Sequence, residues 1–405
     1  MNQVRRLLPE LESTSSPTSV ERFQERGFER ALVKAHGMSG EDIISQVTAS
    51  GIKGRGGAAF PTGLKWSSVY KAVGKTKYVV MNADESELGT FKDRVLLEED
   101  PLGALVGVLI AAHAVGAQKA YCYIRGEYRD VEERMAEALE TLRSLGWVGS
   151  GRVDVEIRRG AGAYIAGEET ALFNSIEGKR PEPRVKPPFP TNKGLWASPT
   201  LIQNVETLAN VAILFAHDTD WFTQYGTKET MGTKLVAISG HIRRPGVYEV
   251  PFGMPLTDIL NAPDLGGGIA GSGRIGAMLL GGAAGTFLTP EEISRSRLDY
   301  ASLSAVGANI GSGAVMVFDD TVDLKWVTTR LARFFAEESC GQCVPCRVGT
   351  QRIVELIEQG GLTSRTQDLR ELGLAMRDAS ICGLGQTAPV ALLSLLDRPG
   401  LKQNA

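Results

Sequence analysis

Apolar and polar positions follow two rhythms in the middle of the chain. The run KYVVMNA is typical of a buried strand, and the runs AYCYIR and VDVEIRR also indicate strands. Between them, DPLGALVGVLIAAHAVG and EYRDVEERMAEALETLRSLG indicate helices, the first beginning with Asp100 as N-cap and Pro101 in the first turn. This alternation predicts a parallel sheet with helices on its faces. Ligands of such sheets bind beyond the carboxyl ends of the strands.

The pattern changes twice further along the chain. After about residue 233, short strand-like runs are separated by Pro-Gly turns, and from about residue 321 the pattern is helical to the last residue. The sequence therefore predicts an α/β fold in four segments. These are a flexible or helical lead-in at 1–40, an α/β ligand-binding domain at 41–234, a small β-rich domain at 235–320 and a helical domain at 321–405. Residues 7–19, rich in Ser, Thr and Pro, are expected to be flexible.

Composition narrows the class of protein. The 405 residues are 43% hydrophobic and 22% charged with a net charge of −3, which is typical of a globular protein and predicts no nucleic-acid partner. The longest apolar stretch, residues 102–117, is shorter than the ~18–20 residues of a membrane span and is interpreted as a buried helix. Five cysteines, odd in number and clustered, indicate a reducing compartment.

Three of the cysteines share one short motif, ESCGQCVPCRVG (338–349). The thiolates of Cys340, Cys343 and Cys346 at this spacing suit one face of an iron–sulfur cube, and Cys382 in SICGLGQ can supply a fourth ligand. Structural zinc is the alternative. Cys122 lies alone in a predicted strand and is interpreted as core packing.

A glycine-rich segment precedes the first predicted strand. GIKGRGGAAFPTGLKW (51–66) allows backbone N–H groups and nearby cations to approach a phosphate, although an ordinary turn has the same composition. The candidate residues are Gly54, Arg55, Gly56, Gly57 and Lys65.

Carboxylates follow in two further motifs. NADESELGTFKDR (82–94) places polar side chains at the end of the first strand, and GAGAYIAGEETAL (160–172) places two at a helix start. A solvated loop and a helix-dipole effect are the plain alternatives. A stiff proline-rich arm, PEPRVKPPFP (181–190), holds Lys186 and Phe189. The candidate acidic and amide residues are Asn82, Asp84, Glu85, Glu87, Glu168 and Glu169.

Together these motifs resemble the NADH-binding flavoprotein subunit of respiratory complex I. They are equally similar to the diaphorase subunits of NAD-linked hydrogenases and formate dehydrogenases. The resemblance covers about residues 40–400 and includes RVKPPFP and NVETLANV in the same order. It implies a Rossmann-like FMN domain, a ubiquitin-like β-grasp domain and a C-terminal four-helix bundle with one [4Fe-4S] cluster. Hydride from NADH would reach FMN, and single electrons would then pass to the cluster.

The resemblance also implies roles for individual residues, with no side chain acting as general acid or base. Phe60 and Phe189 would stack on the NADH rings, and its hydroxyls and phosphates would meet Glu85, Glu87, Glu169 and Lys186. The cluster ligands would be Cys340, Cys343, Cys346 and Cys382. The remaining cofactor-binding residues, mostly around FMN, would be Gly54, Arg55, Gly56, Gly57, Lys65, Asn82, Asp84, Tyr164, Gly167, Glu168 and Asn204.

Three positions depart from the pattern of this family. Ala166 stands where a cysteine is common, Ser68 where an aromatic side chain is common, and Ala59 where glycine is common. The loss of an aromatic ring at Ser68 weakens one side of the expected stacking pocket. Ala59 must tolerate the backbone geometry of a glycine.

The resemblance leaves open which complex the chain serves. The expected partners are NADH, a thioredoxin-like [2Fe-2S] subunit and a larger iron–sulfur subunit. No membrane span of its own is expected. We expect a cytoplasmic location, with any contact to the inner face of the membrane made through partner subunits. Three alternatives are a diaphorase of a soluble hydrogenase or formate dehydrogenase, a zinc-stabilised scaffold, and a β-grasp ligand-binding module without redox function.

Overall fold

Four parallel strands form the sheet of the first domain. This computed structural model describes residues 4–10, 13–74 and 76–404. Strands β1 (Tyr78–Ala83), β2 (Lys119–Ile124), β3 (Asp154–Arg159) and β4 (Thr200–Asn204) lie in the order β3-β2-β1-β4. The first three confirm the predicted strands, whereas β4 was not predicted. Because the chain adds strands on opposite sides of β1, the sheet has its switch point between β1 and β4, where open sheets bind ligands.

Helices cover both faces of this sheet. The long apolar stretch forms a buried helix, as predicted, and the Asp100 carboxylate caps it by accepting from the Gly103 N–H at 3.2 Å. None of the described helices is long and apolar enough to cross a bilayer. The helices are α1 (Val20–Glu25), α2 (Phe28–His36), α3 (Gly40–Ala49), α4 (Thr62–Lys71), α5 (Lys92–Glu99), α6 (Pro101–Val115), α7 (Arg129–Ser144), α8 (Glu169–Ile176), α9 (Pro190–Lys193), α10 (Val205–Ala216) and α11 (Thr219–Thr223).

The first residues of the chain pack more closely than their composition predicts. Leu7 and Leu8 are buried, and the Glu249 carboxylate accepts a hydrogen bond from the Leu7 N–H at 2.8 Å. Phe23 and Phe28, from α1 and α2, are also buried in the core of the first domain. The expected flexibility of residues 7–19 therefore does not hold for Leu7 and Leu8; residues 11 and 12 lie outside the described residues.

The second sheet has the topology of a β-grasp fold. Strands β5 (Thr233–Gly240), β6 (Gly246–Pro251), β7 (Ile275–Leu280), β8 (Thr286–Leu288) and β9 (Ala314–Asp319) lie in the order β6-β5-β9-β7-β8. The first and last strands, β5 and β9, pair in parallel at the centre, and the other pairs are antiparallel. The helices here are α12 (Leu256–Asn261), α13 (Pro290–Arg295) and α14 (Tyr300–Ser304).

A bundle of helices completes the chain and carries the cysteine motif. It consists of α15 (Leu324–Glu338), α16 (Val344–Ser364), α17 (Thr366–Ala379), α18 (Gly383–Thr387) and α19 (Val390–Leu396). Its core contains Phe335, Ile357, Leu369 and Leu395, all buried. The predicted α/β class, with its Rossmann-like, β-grasp and helical parts, is confirmed.

Candidate functional site

A cleft with two adjoining cavities opens at the carboxyl ends of β1 and β4. Asn82 and Asn204 are paired in register and line both cavities. The "Asp84 cavity", about 470 Å³, contains Asp84 in its wall, and the "Phe60 cavity", about 660 Å³, contains Phe60. The two share Gly56, Gly167 and Glu168 as well, so they form one continuous site at the switch point of the sheet.

All three parts of the fold contribute to the wall of the Asp84 cavity. The first domain supplies most of it, including Lys92 and Tyr164. The β-grasp domain and the helical bundle add residues that the sequence analysis did not assign to the cavity. Those of the β-grasp domain are distant in sequence from every recognised motif, whereas those of the bundle lie within or next to the SICGLGQ motif of Cys382: Gly281, Ala284, Asn309, Gly311, Ser312, Gly383, Leu384 and Thr387.

The glycine loop packs closely against the end of β4. The absence of side chains that permits this contact also lets the loop approach a ligand closely. A Cβ on Gly56 would lie 3.2 Å from the Cβ of Asn204. Ala59 adopts a φ of 53°, in the left-handed region, so an alanine accepts here the geometry expected of a glycine.

Arg55 has a different role from the one that its place in the loop indicates. Its residue lines the Asp84 cavity, but its guanidinium is buried and donates to the carbonyl oxygens of Lys53, Met231 and Thr233 at 3.0 to 3.4 Å. It also lies 4.6 Å from the ring centroid of Phe252. The charge expected to face a phosphate instead joins the first domain to the β-grasp domain, which corrects that expectation.

Asp84 is an acceptor that lacks a partner on one side. Its Oδ2 accepts from the Ser86 hydroxyl at 3.0 Å, whereas its buried Oδ1 has no hydrogen-bond partner. Burial raises the pKa of this carboxyl to about 7. A buried acceptor without a partner is costly unless a ligand supplies a donor. This part of the cavity therefore fits a hydroxyl-bearing group such as the ribityl chain of FMN.

Glu85 and Glu87 line the same cavity but are already engaged by the protein. The Glu85 carboxylate accepts from the backbone N–H groups of Asp93 and Arg94, each at 2.9 Å, at the start of α5. Glu87 accepts from the Ala284 N–H at 3.1 Å, and burial raises its pKa. Both carboxylates lie in the Asp84 cavity, away from the phenylalanines with which the resemblance grouped them.

A buried ionic network lies behind the cavity. Glu206 is fully buried and contacts Lys92 at 2.9 Å and Lys234 of β5 at 2.6 Å. Lys92 also contacts Asp93 at 2.6 Å, and the Asn204 amide donates to Asp93 at 2.6 Å. Burial opposes the ionisation of Glu206, but Lys234 and Lys92 hold its pKa down at about 2. Lys92 and Asp93 were missed as site residues although both lie in the quoted motif NADESELGTFKDR.

The Phe60 cavity brings together two aromatic rings and two charged residues, Glu169 and Lys186, that were expected to meet NADH, and two charged residues, Lys65 and Glu168, that were expected around FMN. Phe60 and Phe189 expose 50% and 54% of their surface, which leaves their rings free to stack. The Lys186 ammonium bridges Glu168 at 2.8 Å and Glu169 at 2.7 Å.

Two other charged or polar groups complete this arrangement. Lys65 lies 3.5 Å from Glu169, and Ser68 lines the cavity with its hydroxyl donating to the Leu64 carbonyl at 2.9 Å. Each carboxylate therefore has a lysine partner, and a bound dinucleotide would meet a nearly neutral surface with two cations available to its phosphates.

The four motif cysteines lie where two helices begin. Cys343 precedes α16, Cys346 lies in its first turn, and Cys382 is the N-cap of α18. A Cβ on Gly385 would lie 2.8 Å from the Cβ of Cys346, so the two helix starts are in close contact. Among the described residues, no three His, Cys, Asp or Glu side chains converge closely enough to form a single-ion site. Cys122 is fully buried in β2, as interpreted from the sequence.

The cysteine segment and the cavity share a wall. Gly383 and Leu384, which directly follow Cys382, line the Asp84 cavity. From the other side, Tyr164 lines the cavity and its backbone N–H donates to the Glu338 carboxylate at 2.8 Å, two residues before Cys340. A group bound in the cavity and a group held by the cysteines would therefore be near neighbours.

Comparison with known proteins agrees with this arrangement. The family model "Nuo51 FMN-binding domain" matches residues 47–213, the "SLBB domain" matches 235–274, and the "NADH-ubiquinone oxidoreductase-F iron-sulfur binding region" matches 326–398. The second F-type subunit of NADH-quinone oxidoreductase in Rhizobium meliloti (strain 1021) is 43% identical over 92% of this chain and 91% of its own length.

Hydrogenase subunits are also similar to this chain. The NADP-reducing hydrogenase subunit HndC of Solidesulfovibrio fructosivorans is 38% identical over 92% of this chain and 77% of its own length. A chain of a crystal structure of NAD+-reducing [NiFe]-hydrogenase in the H2-reduced state matches 96% of this chain with a TM-score of 0.83 and 37% identity. This chain spans 65% of that hydrogenase chain, which is under two thirds of its length.

These matches confirm the FMN, [4Fe-4S] and NADH assignments made from the motifs. The iron–sulfur match covers all four motif cysteines and favours the cluster over structural zinc. The chain belongs to the family of F-type subunits of NADH-quinone oxidoreductases, NADH dehydrogenases with an FMN-binding domain and a [4Fe-4S] region.

Proposed function

We propose that this chain is the electron-entry subunit of an NADH:quinone oxidoreductase-type assembly. It binds NADH, FMN and a [4Fe-4S] cluster and delivers electrons to partner subunits. When bound, FMN supplies the conversion between the two electrons of a nicotinamide and the single electrons that a cluster carries. The observation that supports this most strongly is that Gly383 and Leu384, which directly follow Cys382 in the chain, form part of the wall of the Asp84 cavity.

The residues of the cleft divide between two ligands. In the Phe60 cavity, Phe60 and Phe189 stack on the rings of the dinucleotide, while Lys65 and Lys186 offer charge to its phosphates. In the Asp84 cavity, Asp84 accepts from a hydroxyl of FMN. The two ligands meet at the residues that line both cavities, namely Gly56, Ala58, Asn82, Gly167, Glu168 and Asn204.

Other proposals concern the domains and the cluster. The domain limits are 41–234, 235–320 and 321–405, after a lead-in at 1–40. The cluster ligands are Cys340 in the loop before α16, Cys343 and Cys346 at the start of α16, and Cys382 at the start of α18. Gly341, with a φ of 81°, gives the loop a turn that exposes backbone N–H groups to the sulfurs.

The chain works within a larger complex. The relatives are themselves subunits, which supports a multi-subunit assembly. We assign a thioredoxin-like [2Fe-2S] subunit and a larger iron–sulfur subunit as the partners. The assembly is cytoplasmic, with any contact to the inner face of the membrane made through partner subunits.

A second candidate is a diaphorase subunit of a soluble NAD-dependent hydrogenase or formate dehydrogenase. The match to the NAD+-reducing hydrogenase chain, with a TM-score of 0.83, favours it. The site is the same in both cases, so copurifying subunits distinguish them. Quinone-reductase subunits would support the first, and a hydrogenase or formate dehydrogenase subunit would support the second.

The experiment that tests the function is anaerobic purification of the full chain followed by cofactor analysis and NADH oxidation. We expect yellow-brown protein with one FMN and about four irons per chain. It should reduce ferricyanide with NADH, and parallel assays with NADPH would measure the preference between the two nucleotides. Colourless protein that contains zinc and does not oxidise NADH would contradict the proposal.

A further inference from the structure

The β-grasp domain contributes a polar side chain to the Asp84 cavity. We propose that Asn309, in the loop before β9, is a ligand-binding residue of this cavity, with its carboxamide bonding the amide-like edge of a bound ring. This inference rests on the proposed function, since it assumes that FMN and NADH occupy the cleft. The family model for FMN binding ends at residue 213, and the motifs of the sequence do not include this loop.

The side chain of Asn309 is free to bond a ligand. It lines the cavity and is exposed, and no hydrogen bond to its carboxamide occurs within residues 4–10, 13–74 and 76–404. Its neighbours Ala308 and Ile310 are buried in the β-grasp core. These two buried side chains therefore anchor the backbone on both sides of Asn309, whose own side chain lines the cavity.

The loop that carries Asn309 is held firmly. Gly311 has a φ of 53°, and a Cβ on it would lie 2.4 Å from the carbonyl oxygen of Gly281, so only glycine permits the two loops to touch. The buried hydroxyls of Ser312 and Thr90 are 2.8 Å apart across the domain boundary. Such a fixed loop presents a polar side chain without a large loss of backbone entropy on binding.

The carboxamide of Asn309 differs from the other polar groups of the wall because it has no protein partner among the described residues. Asn82 and Asn204 also line the cavity, but hydrogen bonds within the protein engage both of their carboxamides. Asp84 and Glu87, when ionised, only accept hydrogen bonds, and the ammonium group of Lys92 is already engaged by Asp93 and Glu206. A carboxamide offers a donor and an acceptor on one planar group, which suits a ring edge of the same kind. Two ligands of this site carry such an edge, namely the carboxamide of nicotinamide and the pyrimidine ring of flavin.

The test compares Asn309→Leu with Asn261→Leu. Asn261 is an exposed asparagine of the same domain, at the end of α12, that lies outside both cavities. Two ligands are measured: the Kd of FMN by fluorescence titration of the flavin-depleted protein, and the KM for NADH against that for its reduced 3-acetylpyridine analogue, which lacks the amide N–H. Losing one neutral hydrogen bond should weaken the binding of the ligand that Asn309 contacts by about 3- to 10-fold.

Each outcome has a defined meaning. If Asn309→Leu raises the Kd of FMN, the flavin edge is the ligand; if it raises the KM for NADH but not for the analogue, the nicotinamide carboxamide is. If Asn309→Leu matches Asn261→Leu in both measurements while the wild-type chain binds FMN and oxidises NADH, the inference is wrong and the proposed function stands. A wild-type chain that does neither would overturn the proposed function itself.

Discussion

At the scale of single residues, the site combines buried acceptors with cations that are already paired. Asp84 shows the first feature, since one of its oxygens is buried without a donor. Lys186 shows the second, since it is shared between Glu168 and Glu169. Ligand binding here supplies missing hydrogen bonds at one end of the cleft and competes with existing ion pairs at the other.

The first prediction concerns the pH dependence of FMN binding. Burial raises the pKa of the Asp84 carboxyl to about 7, and the carboxyl accepts more strongly from an FMN hydroxyl once it is ionised. The affinity for FMN should therefore rise between pH 6 and pH 8. Asp84→Asn should abolish that dependence and weaken FMN binding by about 10-fold or more. Fluorescence titration at pH 6, 7 and 8 measures both effects.

The raised pKa of Asp84 also predicts that the FMN-free protein becomes less stable as the pH rises, whereas its affinity for FMN increases. A folded-state pKa above the ordinary 3.8 means that the contribution of Asp84 to stability is present at low pH and is lost as the pH rises through about 7. The FMN-free Asp84→Asn variant should therefore be more stable than the wild type at pH 8, as measured by thermal unfolding. A variant less stable at pH 8 would show that the carboxylate has a donor in the free protein.

The second prediction concerns the lysine shared by two carboxylates. Lys186→Met leaves Glu168 and Glu169 with less compensation beside the phosphates of the dinucleotide, so the KM for NADH should rise by about 10-fold, with a smaller change in kcat. Lys179→Met is the control, because Lys179 is an exposed lysine that pairs with Glu177 outside both cavities. Equal KM values for NADH in the two variants would show that Lys186 does not contribute to the nucleotide site.

At the scale of elements, the order of the strands was predictable only in part. β1, β2 and β3 alternate with long helical patterns that mark their boundaries, whereas β4 is only five residues long, reads TLIQN and follows a proline-rich arm and the four-residue helix α9. The glycine loop and the carboxylate motifs were found because each is contiguous. Asn309 was not found, because sheet pairing brings it to the cavity from a distant part of the chain. Gly383 lies in the motif of Cys382, but only the packing of the bundle shows that it lines the cavity.

The direction in which a charged side chain points was the other feature that could not be predicted from the sequence. Arg55 lies among glycines, the usual composition of a phosphate-binding loop, yet its guanidinium binds the carbonyl groups of Met231 and Thr233. Glu85 was assigned to the ligand but caps α5. Which way a charged side chain turns depends on its tertiary neighbours, and those were not visible in the motif.

The third prediction tests the ionic network that joins the first sheet domain to β5. Glu206→Gln leaves Lys92 and Lys234 buried with less compensating charge, so it should lower the free energy of unfolding by about 3–5 kcal/mol. Glu140→Gln, which removes a partner of Arg143 on the exposed face of α7, should change it by about 1 kcal/mol or less. Urea denaturation measures both, and similar values for the two variants would show that the network is not stabilising.

At the scale of the whole molecule, the two cofactor regions depend on different parts of the chain but meet at α18. The fourth prediction separates them. Cys340→Ala should reduce the iron content from about four atoms per chain to near zero, while FMN binding and ferricyanide reduction by NADH are largely retained. Cys122→Ala, which changes a fully buried core cysteine of β2, should keep its iron. Iron retained in Cys340→Ala would mean that another group completes the cluster.

The wall of the Asp84 cavity begins at Arg55 and is finished only by Thr387. During translation, therefore, the flavin pocket is not complete until the chain has been synthesised past Thr387 and α18 has docked. Capture of the yellow pigment follows that step, and products of premature termination upstream of α18 should accumulate as colourless protein.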